Sequence, residues 1–302
     1  MAVACWLVTL STLSFAGSVT LTSVADTTLS QAFPSNNFGA VPFVNAGTTQ
    51  NFTTNRGLFK FDPTAVVPAG SKIKSARLTL AVTKEPADGF NFADFGLHRM
   101  LRDWGEGNKI TPTNSQNAGT GAPATTNEAT WFYRLAFTTN TWSAPGARGL
   151  TDYVGTASSS QTIYGMSDSP YLFGSSQQMV ADVQLWLDHP ETNFGWLLVC
   201  AQEERDFSAR RFASREDTNH LPELVLEYVA PPLIERPQRS GNQFSFLFTA
   251  LPGEGYAVEF RNNLSSNGWQ TLAELGTVAD VTRVLVVDAI SFPQRFYRIR
   301  SY

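Results

Sequence analysis

The sequence predicts an all-β protein: a jelly-roll-like antiparallel β-sandwich with one short helix, followed by a small β-sandwich module. Three observations carry this expectation. Apolar and polar residues alternate in short runs, clusters of Gly, Pro, Asn and Ser separate those runs, and a single segment repeats its apolar residues at helical spacing. Alternation with period two is what a strand with one buried and one wet face requires, because successive side chains point to opposite sides of a sheet.

Residues 1–16 come first. The first charged residue is Asp26, and the stretch Ala2–Ala16 contains Trp6, Leu7, Val8, Leu10 and Leu13. Ser14-Phe15-Ala16 followed by Gly17 supplies small residues where a signal peptidase cuts, so 1–16 reads as a secretory signal, although no basic residue precedes the apolar part. The alternative is a buried first strand. A membrane anchor needs about 20 apolar residues, and Thr and Ser interrupt this run; no transmembrane segment is expected in the mature chain. The expected location is secreted, either extracellular or at the cell surface. Cys5 would leave with the signal, and Cys200, in the apolar run Gly195–Cys200, reads as a buried inert thiol.

Strands are expected next at Gly57–Phe61, at Arg77–Val82 with Leu78, Leu80 and Val82 on one face, at Gly195–Val199, and at Glu223–Tyr228 with Leu224, Leu226 and Tyr228 opposite both glutamates. Met179, Val180, Val183, Trp186 and Leu187 predict an amphipathic helix over Ser176–Leu187, which Pro190 ends. Gly105–Ala129 is rich in Gly, Thr, Asn and Ala and reads as a mobile connection. Pro231-Pro232 marks a boundary, since a proline pair cannot continue a ladder. Beyond it, strands are expected at Gln243–Phe248, Tyr256–Phe260, Trp269–Leu275, Thr282–Asp288 and Arg295–Arg300.

The chain has 302 residues, only 16% of them charged, and a formal charge of −4. An acidic, weakly charged chain does not suit a nucleic-acid partner, which calls for a basic field. From Pro232 onward there are seven Arg, no Lys and six acids, a balance of +1 that leaves −5 for the preceding part. Neither field steers a strongly charged partner.

Three stretches occur in a telling order. The first is Val24-Ala25-Asp26-Thr27, then Pro34-Ser35-Asn36-Asn37-Phe38-Gly39 and Arg56–Asp62. The second is Leu97-His98-Arg99-Met100-Leu101-Arg102-Asp103-Trp104-Gly105-Glu106-Gly107, answered by Asn127–Trp131. The third is Val180–Leu187, Phe194–Leu198, Arg211–Glu216 and Pro222–Tyr228. This order resembles the DNRLRE domain family of secreted and surface proteins of bacteria and archaea, over roughly Ser18–Tyr228, within an expected body at 18–229. The run matching the family's namesake hexapeptide is Phe212-Ala213-Ser214-Arg215-Glu216-Asp217, which keeps an Arg-Glu pair. The resemblance implies a jelly-roll-like sandwich classed with carbohydrate-binding modules that accompany polysaccharide-degrading enzymes such as alginate lyases, here without a catalytic domain. Residues 233–302 look like the fibronectin-like modules that end many bacterial exoproteins.

Candidate chemistry follows from residue type. Sugar faces stack on aromatic rings flanked by polar groups. Trp131, Tyr133 and Arg134 with nearby Trp104 are the candidates, Trp131 and Tyr133 sharing one strand face; the alternative is that both rings fill the core. Asp26, Glu216 and Asp217 would meet if the sheet joins its ends, and could hold a structural calcium through oxygen ligands; the alternative is an Arg215–Glu216 ion pair. Asp103 and Glu106, and the run Glu203, Glu204 and Asp206, read as loop or surface carboxylates, and His98 and His189 as structural. No Ser-His-Asp pattern stands out. The expected role is non-catalytic binding of a polysaccharide or cell-surface glycan. An adhesive or structural surface protein is the alternative, and a polysaccharide lyase or hydrolase a third.

Overall fold

The structure is a computed structural model that describes residues 8–9, 16–87, 92–111, 119–265, 268–290 and 293–302. The chain is all-β, with one α-helix among the described residues, and it divides into two compact units. One comprises Ser18–Val67 and Ile73–Tyr228; the other comprises Met1–Gly17, Pro68–Lys72 and Val229–Tyr302. Most of the signal expected at 1–16 lies outside the described residues. Among the described residues no helix is long and apolar enough to cross a membrane.

The larger unit is a sandwich. Its strands are β1 (Ala16–Thr22), β2 (Ala25–Ser30), β3 (Phe43–Thr48), β4 (Thr54–Lys60), β5 (Lys72–Leu80), β6 (Val82–Lys84), β7 (Ala93–Arg99), β8 (Ser159–Ile163), β9 (Tyr171–Phe173), β10 (Trp196–Cys200), β11 (Arg210–Ala213) and β12 (Glu223–Val229), with helix α1 (Gln177–Asp188) between β9 and β10. One sheet runs β8-β7-β10-β4-β3-β11-β6, with β2 also paired to β4. The other runs β9-β5-β12-β1. Residues from both build the main core, where Leu78, Leu80, Leu224 and Leu226 of the smaller sheet join Phe59, Phe95, Trp196 and Phe212 of the larger. The alternation expected at Arg77–Val82 and Glu223–Tyr228 thus becomes burial, except that a break at Ala81 splits the first run into β5 and β6. The hydroxyl of Ser176 accepts the amide of Met179 and starts α1. Met179, Val183, Trp186 and Leu187 then enter the core, where the Trp186 and Trp196 rings meet edge-on at 4.5 Å.

The larger sheet departs from the one-face-wet expectation. Every residue of β4 before Lys60 is buried, and in β10 only Val199 is partly exposed. The long segment between β7 and β8 explains this, because its residues build a second core on the sheet's other face. Met100, Ala129, Trp131, Trp142 and Ala147 pack there on Leu29, Leu58 and Leu197. A strand covered on both sides needs apolar residues in succession, as Trp196-Leu197-Leu198-Val199-Cys200 shows. Cys200 is buried, and burial pushes its thiol pKa up, away from reactivity.

The tail holds β13 (Glu235–Ser240), β14 (Gln243–Ala250), β15 (Tyr256–Arg261), β16 (Gln270–Leu275), β17 (Thr282–Ala289) and β18 (Phe296–Ser301). Antiparallel ladders order them as β13-β14-β17, with Val8–Thr9 on the outer edge of β17, and as β16-β15-β18. Phe246, Phe248, Tyr256, Val258, Val284 and Val286 form its core.

Candidate functional site

The quoted motif residues converge on two polar clusters in the sandwich. In the first, the amide of Asp26 donates to Glu106 Oε1 at 2.9 Å, and the Asp26 carboxylate accepts the Ser23 hydroxyl at 2.7 Å and the Arg215 amide at 2.9 Å. The Arg215 guanidinium reaches Glu106 through Nε at 2.6 Å and Nη2 at 3.0 Å, and Glu216 at 3.0 Å. Two carboxylates therefore pair with one guanidinium, and the third, that of Asp26, accepts the backbone amide of the same residue. Burial, helped by the charges of Glu216 and Glu106 and opposed by the Ser23 and Arg215 hydrogen bonds, pushes the Asp26 pKa up to about 7. Burial raises that of Glu106 as well. Next to this cluster, the side-chain amide of buried Asn37 donates to the carbonyls of Glu106 and Ala129, and its oxygen accepts the amide of Gly39. A Cβ on Gly39 would lie 2.2 Å from the Glu106 carbonyl oxygen, so this close approach needs glycine.

The second cluster centres on Asp182 of α1, which is 1% exposed. Its carboxylate accepts Arg99 Nε at 3.0 Å, Trp196 Nε1 at 3.0 Å, Gln178 Nε2 at 2.9 Å and the Ser158 hydroxyl. A comparable pair anchors the segment between β7 and β8: Arg56 meets Glu203 through two 2.8 Å bonds and donates to the Ala147 carbonyl at 3.0 Å. All three assemblies use their polar atoms on one another, which suits joining chain-distant segments.

The calcium candidates are placed accordingly. Asp26 and Glu216 come together, with Glu106 as a third acid that sequence reading left out of the set. Asp217 turns elsewhere, accepting the amides of Asn219 and His220. Among the described residues no group of three or more His, Cys, Asp or Glu is arranged to hold a metal ion, and the Arg215 guanidinium supplies the positive charge between the acids. Chelation tests this arrangement. We expect EDTA to leave Tm unchanged, and a rise of Tm on adding calcium would reinstate the metal.

The four sugar-binding candidates separate. Trp131 is 4% exposed: Gly146, at φ +76°, packs on its ring, and the Arg148 guanidinium lies 5.4 Å from the ring centroid. No sugar can reach that face. Trp104 is half-buried, packs on the second core and donates its indole N–H to the Phe194 carbonyl at 2.8 Å. Tyr133 is 36% exposed. Arg134 beside it is held by Asp103 and by Asn140 Oδ1 at 2.6 Å. The expected shared strand face of Trp131 and Tyr133 is absent, because these residues lie in a turn-rich hairpin that bridges Tyr133 to Thr141. Trp131 points into the second core, whereas Phe132 at 42% and Phe137 at 75% exposure join Tyr133 in facing water. Phe137 has φ +57°, which a bulky residue rarely adopts.

The segment expected to be mobile is anchored where it is described. The Gly105 amide donates to the Arg134 carbonyl and the Ala129 amide to the Gly105 carbonyl. Glu128, 6% exposed, accepts the Thr125 amide at 2.6 Å and pairs with Lys109. Residues 112–118 of that expectation lie outside the described residues. The remaining acids and histidines are engaged or apart. Asp103 pairs with Arg134 and Glu203 with Arg56, while His98 donates from Nδ1 to the Val154 carbonyl at 3.0 Å and burial lowers its pKa.

No family model matches the chain, and no curated protein matches it.

Proposed function

We propose that the chain is an exported, non-catalytic protein whose sandwich, of the DNRLRE type that its motifs resemble, binds a polysaccharide or cell-surface glycan. The observation that carries this reading is the hairpin of residues 131–142. It lifts the rings of Phe132, Tyr133 and Phe137 into solvent beside Arg134, whose fork Asp103 and Asn140 hold in place. Aromatic faces next to fixed hydrogen-bonding groups are what sugar recognition uses. The wide second core also supports it, because a hairpin fastened over a rigid sheet presents its rings without a large ordering cost. The fibronectin-like tail serves as an accessory module.

A glycan array probed with the wild type and with Tyr133→Ala and Phe137→Ala tests the proposal. Each variant should lose about tenfold in affinity, as removing one stacked ring implies. Tm should not move, because both side chains are exposed. Absence of binding across neutral and acidic glycans would overturn the reading. Phe137 and Leu150, 75% and 72% exposed, equally suit an apolar protein contact. The adhesive alternative is therefore tested alongside, by whether the protein fractionates with the cell envelope while ignoring sugars.

A further inference from the structure

The outer face of the tail sheet β16-β15-β18 carries an arrangement of guanidinium groups that the sandwich site does not use. Residues opposite one another in an antiparallel ladder share a face. Arg261 stands opposite Phe296, Glu259 opposite Arg298 and Thr271, and Ala257 opposite Arg300 and Glu274. One face of the sheet thus presents Arg261, Arg298 and Arg300. Two residues along a strand span about 6.8 Å, so the backbone positions of Arg261 on β15 and of Arg298 and Arg300 on β18 advance along the sheet by one such step each.

Two of them share one ring. The guanidinium carbons of Arg261 and Arg298 each lie 4.5 Å from the centroid of the Trp269 ring, so the tryptophan fixes both through cation–π contact. Two guanidinium groups thus already stand against this ring. The opposing charge is smaller. Glu259, its side chain 9% exposed, accepts Arg298 Nε at 2.6 Å and Arg300 Nε at 3.5 Å. Arg261 makes no ion pair among the described residues, and its Nε is buried without a hydrogen-bond partner. Arg298 and Arg300 keep 46% and 52% of their side chains in solvent. Glu274 is the other acid on this face.

We infer that this face is a second binding surface, for the carboxylate or sulfate groups of a linear acidic polysaccharide. A planar guanidinium held by stacking has lost much of its rotamer freedom before binding, and its remaining N–H groups match a carboxylate or sulfate in a forked geometry. Three such groups set along two neighbouring strands fit an extended polymer that carries repeated anionic groups. Three cations interleaved with two acids make too weak a field for nucleic acid, whose binding rests on many neutralised phosphates. The choice of polysaccharide over another polyanion rests on the glycan reading above; the anion-binding face itself does not.

The test uses the full chain on alginate and dextran sulfate, with polyglutamate as the peptide polyanion. The wild type should bind both polysaccharides, more weakly as salt rises, and the double variant Arg261→Gln/Arg298→Gln should lose about tenfold or more. Arg283→Gln removes the same kind of charge from the other sheet, where Arg283 pairs with Glu235, and should leave binding unchanged. Arg298→Lys, which keeps the charge but not the stacked plane, should fall between. Circular dichroism of each variant separates lost binding from lost folding; if the double variant unfolds, Arg300→Gln is read in its place. No binding of either polysaccharide at low salt, or equal losses in the Arg283→Gln variant, would overturn the inference. Equal binding of polyglutamate would reassign the face to acidic peptides. Loss of neutral-glycan binding in the Tyr133→Ala variant with polyanion binding intact would show two independent sites; the reverse outcome would sink this surface and spare the first.

Discussion

Asp182→Ala should cost the sandwich about 3–5 kcal/mol, the range for removing one partner of a buried charged network. The substitution strands three buried or half-buried donors at once: Arg99 Nε, Trp196 Nε1 and the Ser158 hydroxyl. The indole N–H sits in the main core and has no other acceptor there, so it bears the full desolvation cost, about 1–3 kcal/mol by itself. Arg99 is 20% exposed along its side chain and recovers some hydration, which keeps the total inside that range. Trp196→Phe removes one donor together with its need for an acceptor and should cost less. Asp182→Asn keeps the shape and an acceptor oxygen while losing the charge that strengthens the Arg99 bond, so it should fall between the two. Denaturant unfolding followed by tryptophan emission in a Trp6→Phe/Trp269→Phe background reports on the sandwich, since the other five tryptophans all belong to the larger unit. A cost under about 1 kcal/mol for Asp182→Ala would show that the network only decorates packing supplied by Trp186 and Trp196.

The helix that carries Asp182 shows how much of this was legible in the sequence. Its apolar spacing placed it within a residue of the observed span, and Asp182 falls on the same face as Met179, Val183 and Trp186, a carboxylate in the middle of an apolar stripe. That signal was available. Its partners were not, because Arg99 and Trp196 come from strands far away in the chain, and nothing local ties them together. The tail strands are legible for the same reason as the helix: alternation in Gln243–Ala250 or Thr282–Ala289 is a local property. β13, with Glu235-Arg236-Pro237-Gln238-Arg239-Ser240, has no apolar residue to alternate and pairs only at the edge of its sheet, so its sequence carries no period-two signal. The candidate sugar site failed at Trp131 on one point of physics. Assuming a strand made Tyr133 its companion, whereas the turn-rich backbone sends Trp131 into the second core and turns Phe132 and Tyr133 outward. A segment that covers the far side of a sheet cannot be recognised from that segment alone; the clue lay in β10, whose unbroken apolar run admits no wet face.

The stability of the sandwich should fall as pH rises from about 4 to about 7 through the titration of Asp26. The unfolded chain releases this proton near the ordinary value of 3.8, whereas the folded protein holds it to about 7. Within that window the native state binds more protons than the unfolded state, so the derivative of unfolding free energy with pH is negative. The contribution of the protonated carboxyl is complete below pH 3.8, is lost as pH climbs through the window, and is gone above 7. At 1.36 kcal/mol per unit its ceiling is about 4 kcal/mol, and Glu106, raised by the same burial, adds a change of the same sign at the acid end. Asp26→Asn removes the titration while keeping an acceptor for the Ser23 hydroxyl and the Arg215 amide. The variant should therefore match the wild type near pH 4, exceed it at pH 8, and show a flatter profile, to which Glu106 still adds a fall and His98, its pKa lowered by burial, a rise. Urea midpoints at closely spaced pH values measure this directly. A wild-type profile that rises between pH 4 and 7, or an Asn variant equally destabilised at both ends, would mean that Arg215 holds Asp26 ionised and that the attraction of the guanidinium outweighs the burial of the carboxylate.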